Sequence, residues 1–156
     1  MRYCILALFF AAYACGTAQP TASCTLAFKF SLDPEQVVPP SLSEGFGVAD
    51  LSFCVERLRG TITLNLTEVV TYVHLHGPAA PGETGPLLFN LPLPMGSSVV
   101  VDISFPVELV ELLYTNTAYV DVHTVAHPDG AIRGVFRMDG TGVTSSPWTA
   151  VKKLFR

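Results

Sequence analysis

The sequence predicts an all-β domain with at most one short helix, an antiparallel Greek-key β-sandwich, with a closed barrel as the alternative. Three observations carry that expectation. Apolar residues alternate with period two, helical periodicity is nearly absent, and Gly and Pro punctuate the chain between about eight short segments.

The first segment, residues 26–32, alternates Leu26, Phe28, Phe30 and Leu32 with Ala27, Lys29 and Ser31, giving one apolar and one wetter face. Residues 33–47 read as a loop, because adjacent Pro39 and Pro40 cannot donate to a sheet ladder and Gly45 and Gly47 loosen the chain beside them. Strands resume at 48–55 and 61–66, with Gly60 expected in the turn between them. In the latter, Ile62, Leu64 and Leu66 face one way and Thr61, Thr63 and Asn65 the other. Further strands are expected at 69–76, 87–91, 99–105, 117–125 and 131–138. Only residues 107–114, VELVELLY, carry the three- and four-residue apolar spacing of a short helix.

With 156 residues the chain is sized for one domain with a real core. A net charge of -4, with only nine Lys and Arg scattered along the chain, excludes the basic stripe that nucleic acid requires. The N-terminus places Arg2 before an apolar run at residues 5–13, with small residues after it, the pattern of a secretory signal peptide. Gly16 and Ala18 suit a cut after residue 18, so residues 1–18 are expected to be the leader; cuts after Ala14 or Gly16 also fit. The run is shorter than the roughly 20 residues of a spanning helix, so no membrane span is expected in the mature chain. Acylation at Cys15 is a lesser alternative, since Ala12, Tyr13 and Ala14 lack the aliphatic residue a lipoprotein signal needs.

Loss of the leader removes Cys4 and Cys15 and leaves Cys24 and Cys54. A single pair in an oxidising compartment reads as a disulfide joining the first strand to the second or third, with buried free thiols as the alternative. Asn65-Leu66-Thr67 is a candidate N-glycosylation acceptor if the source is eukaryotic, and Asn65 falls on the polar face of its strand.

Two stretches echo each other, YVHLHGPAAPG from Tyr72 and YVDVHTVAHPDG from Tyr119. Strand alternation sends Val73, Leu75, Val120 and Val122 to the core, and Tyr72, His74, His76, Tyr119, Asp121 and His123 to the opposite side. His74 and His76 therefore stand on one face, about 6.6 Å apart by strand rise. If the echoed strands are neighbours, His123 becomes a third ligand and Asp121 a fourth. That donor set suits copper or zinc, bound by neutral imidazole. The competing expectation is that the histidines hydrogen-bond carbonyls of the Gly/Pro-rich loops and fix their shape. His127, in the turn HPDG, is a weaker ligand candidate. Arg133 is expected to pair with a carboxylate or a loop carbonyl, with ligand recognition as the lesser alternative. No nucleophile elbow or phosphate-cradling loop is present in the sequence, and no nucleophile stands beside the histidines.

The motifs EQVVPP (35–40), HLHGPAAPGETGP (74–86), AYVDVHT (118–124) and GAIRG (130–134), in that order, resemble the chordin-type CHRD domain over residues 27–137. The resemblance implies a β-sandwich, immunoglobulin-like or superoxide-dismutase-like, over residues 25–138; residues 139–156, polar at first and then carrying Trp148, Lys152, Lys153 and Phe155, are expected to be a C-terminal tail. It also implies a secreted or surface-associated protein. In chordin the domain accompanies cysteine-rich von Willebrand type C modules that engage bone morphogenetic proteins. Two cysteines outside the leader cannot build such modules, so growth-factor antagonism is not carried over. The family pattern commonly has Asn where this chain has Asp121. The His-x-His pair is similar to that of copper-zinc superoxide dismutase, a likeness of architecture alone.

The expected role is a secreted extracellular binding or interaction module without catalytic activity, whose partner is an extracellular protein or glycan. Cell-surface or periplasmic placement is also open. The alternative is a copper- or zinc-binding, or redox, protein built on His74, His76, Asp121 and His123.

Overall fold

The computed structural model describes residues 24–138. The expected leader at 1–18 and tail at 139–156 lie outside the described residues. Eight strands form two four-stranded antiparallel sheets. They are β1 (Cys24–Leu32), β2 (Phe46–Cys54), β3 (Arg57–Asn65), β4 (Val70–His76), β5 (Leu87–Asn90), β6 (Ser98–Ser104), β7 (Tyr119–Thr124) and β8 (Ile132–Val135). One sheet has the order β1-β2-β3-β6 and the other β5-β4-β7-β8. The chain crosses between sheets after β3, β5 and β6, so β6 returns beside β3 and β7 beside β4, the long returns of a Greek key. In an immunoglobulin constant domain the third strand crosses to the second sheet; here β3 stays beside β2. Residues 107–114 form a 3-10 turn, Val107–Leu109, running into a single-turn helix α1, Val110–Tyr114.

Alternation builds the core as expected. Leu26, Phe28, Phe30 and Leu32 of β1 and Leu51 and Phe53 of β2 point inward to meet Val73, Leu75, Val120, Val122 and Ile132 of the other sheet, all buried. Phe136, just past β8, seats its ring 5.3 Å from Phe28 and 4.8 Å from Phe30. Truncating such a residue to Ala costs about 3–5 kcal/mol, so this packing fixes the sandwich.

Cys24 and Cys54 face each other across β1 and β2 and form the disulfide, with Cα atoms 4.0 Å apart. The bridge closes the end of the first hairpin opposite the 33–45 loop. Chain-entropy reasoning gives a loop of this size about 3–4 kcal/mol of stabilisation.

Gly60 departs from expectation. The turn between β2 and β3 is Val55-Glu56, at φ 41° and 56°, as a two-residue hairpin of the I′ type requires. Gly60 lies inside β3 at φ 143°, where a Cβ would run into the Asp50 carbonyl oxygen. Its role is close strand approach rather than chain reversal.

Candidate functional site

The echoed strands are neighbours. β4 and β7 pair antiparallel with Tyr72 opposite His123, His74 opposite Asp121 and His76 opposite Tyr119. Even separations within each strand put all six side chains on the outer face of the β5-β4-β7-β8 sheet. Ligand atoms of His74, His76 and His123 lie within 4.8 Å of one another, and all three residues are half-buried.

Loop carbonyls orient two of these rings. His76 Nδ1 is 3.0 Å from the Gly85 carbonyl oxygen and His123 Nδ1 is 2.8 Å from that of Pro128. An imidazole nitrogen can meet a carbonyl only by donating, so in the neutral ring each Nδ1 carries the proton and each Nε2 keeps its lone pair. Both Nε2 atoms are buried and have no hydrogen-bond partner among the described residues. Tyr119 reinforces this arrangement: its ring stacks on His76 at 5.1 Å, and its hydroxyl accepts from the Gly85 N–H at 3.0 Å.

His74 closes the cluster, with its ring centroid 4.8 Å from that of His123 and 5.5 Å from that of His76. Tyr72 stacks on its outer side at 5.3 Å. Burial holds the His74 imidazole below its ordinary basicity, and the neighbouring His123 and His76 push it the same way. Asp121 and a hydrogen bond with the Asn90 side chain act in the opposite direction. Asn90 sits opposite His74 on β5, a residue type and position that sequence patterning gives no reason to select.

Asp121 is committed elsewhere. Arg133 lies opposite it on β8 and donates from Nη2 at 2.7 Å and Nε at 3.2 Å, both to Oδ2. Both side chains are almost fully buried. Asp121 Oδ1 has no partner among the described residues and lies against Gly130. That glycine is required: at φ 130° an added Cβ would stand 3.1 Å from Oδ1 and 2.9 Å from Val37. Arg133 also donates to the Glu83 carbonyl at 3.2 Å and lies 4.0 Å over the Tyr119 ring. The structure thus brings three histidines together and gives Asp121 and Arg133 to each other.

The remaining candidates are separate. His127 lies 3.5 Å from Ser41 Oγ and 3.7 Å from Glu68, away from the cluster. Asn65 is exposed at the end of β3, opposite exposed Phe46 on the other sheet's outer face.

Fold and site together define a disulfide-tied β-sandwich module that presents a histidine cluster on one outer face. The sequence model of the CHRD domain matches residues 28–136, and the chain belongs to the CHRD-domain family. No curated protein and no solved structure matches the chain. Family and disulfide fit an extracellular location. Among the described residues no helix is long and apolar enough to cross a membrane.

Proposed function

We propose that this is a secreted CHRD module whose ligand is a transition-metal ion, copper or zinc, held by His76 Nε2, His123 Nε2 and a ring nitrogen of His74. One observation carries the reading: two buried Nε2 lone pairs lack partners and share a cluster with a third imidazole. A buried polar atom without a partner costs about 1–3 kcal/mol, and a bound ion removes that cost. Bonds of about 2.0–2.1 Å need ligand atoms roughly 3.3 Å apart, so the ligand atoms, which lie within 4.8 Å of one another, draw together on binding. Donation of the opposite nitrogen to a carbonyl is the usual second-layer support of a metal-bound histidine.

Loop support alone is the second reading, favoured by the bonds to Gly85 and Pro128. It uses only the Nδ1 atoms and leaves both Nε2 atoms unexplained.

Elemental analysis of the secreted, tag-free protein at neutral pH tests the proposal, beside a folded variant with His74, His76 and His123 changed to Ala. The expected result is near one copper or zinc per wild-type chain and none in the variant. Absence of metal from the wild type after incubation with both ions overturns it.

A further inference from the structure

The cluster supplies too few protein ligands to close a coordination sphere. All four histidines of the chain lie among the described residues, and His127 stands apart from the other three. Among the described residues the grouping of His, Cys, Asp and Glu ligand atoms contains three members and no carboxylate. Asp121, the residue on this face best placed to be a fourth, has its Oδ2 occupied by Arg133 and its Oδ1 turned against Gly130. Copper and zinc in imidazole sites ordinarily take at least four ligands, and a site with three protein ligands keeps a position for water or an exogenous group.

Charge says what that group is. Three neutral imidazoles leave the full double charge of the ion uncompensated by its protein ligands. Asp121 acts on His74, but its charge is shared in a buried pair with Arg133. Partial burial weakens solvent screening, so an anion gains more at this position than it would at an exposed one. Access agrees with charge. The Nε2 atoms of His76 and His123 are buried, and the cluster opens toward solvent on the His74 side, where Tyr72 is 60% exposed.

We propose that the site is open and exchangeable: its remaining coordination position lies on the solvent side of the histidines and takes water or a small monodentate anion. This rests on the metal reading above and narrows it. The module holds an ion that can engage a second ligand, rather than a closed ion that only stabilises the fold.

Cobalt(II) in place of the native ion provides the test, because its visible d–d bands report coordination directly. The metal-free protein is loaded with cobalt(II) and titrated with sodium azide while the bands are recorded. The expected result is a saturable change in band position and intensity, reversed when azide is dialysed away. Cobalt bands that do not move across the titration overturn the open position while leaving the metal reading intact. Absence of protein-dependent bands together with absence of copper or zinc by elemental analysis overturns the metal reading, and this inference with it.

Discussion

The outer faces of the two sheets are built from strands with the same alternation, yet they have become opposites. On the β1-β2-β3-β6 sheet the outward charges stay wet: Lys29 and Asp50 pair at 3.8 Å with side chains 60% and 72% exposed. Arg57 and Arg59 share Asp102 there. On the β5-β4-β7-β8 sheet the outward Asp121 and Arg133 are 3% and 4% exposed, and Tyr119 is buried with them. The difference lies in the loops. Residues 77–86 and 125–131 turn back toward the second face, and their carbonyls at Gly85, Pro128 and Glu83 meet His76, His123 and Arg133. A polar residue at an outward strand position is therefore cheap or costly according to what covers it.

Breaking the buried pair should give the largest effect. Arg133→Ala leaves the Asp121 carboxylate buried and unpaired, and it also removes the ties to Glu83 and Tyr119. The expected loss is about 3–5 kcal/mol, read from urea denaturation. A double change, Asp121→Leu with Arg133→Met, should recover most of that loss by removing both charges. Failure to recover would mean that the pair specifies the face rather than merely avoiding an unpaired charge.

Metal loading comes next in size. At a free-ion concentration a hundredfold above Kd, an ion that binds only the folded chain adds about 2.7 kcal/mol, measured as a raised thermal midpoint. The shift should vanish in the triple histidine variant. Acidification should release the ion, because protons compete for the lone pairs that bind it, and since burial and the neighbouring histidines hold His74 below its ordinary basicity, that ligand is lost only below the usual imidazole range. Asn90→Ala sharpens the same face at lower cost. It removes the side chain that stands opposite His74 and raises its basicity, and should weaken metal affinity about 10–100-fold while the metal-free fold persists. Equilibrium dialysis measures that change.

The range of each interaction decides how much of this is legible in the sequence. Period-two patterning locates the eight strands, because a sheet with one buried face imposes alternation on every residue, and three- and four-residue spacing locates the helical segment. The echoed histidine stretches are readable as strands, and their pairing brings His123 to His74 and His76. The turn at Val55-Glu56 is not legible, since it uses neither Asn nor Gly, and Gly60 draws attention to the wrong position. Arg133 opposite Asp121 is only half legible. The arginine's need for a carboxylate or carbonyl is plain from its residue type, but its partner emerges only from the register of β7 and β8. Backbone carbonyls leave no residue-type signature, so the bonds that set the tautomers of His76 and His123 can be read only from the folded loops.

The smallest effect belongs to the wet face. Asp102 accepts from Arg57 and Arg59 at 2.7 and 2.9 Å, and those hydrogen bonds hold its carboxyl below the usual carboxylate range. Its side chain is nonetheless 50% exposed, and water solvates the carboxylate in folded and unfolded chains alike. Asp102→Asn should therefore leave the urea midpoint unchanged within error, although the bond lengths match those of the buried pair. A loss approaching that of Arg133→Ala would mean that contact distance, not cover, sets the weight of a charge pair in this sandwich, and the contrast between the two faces would fail.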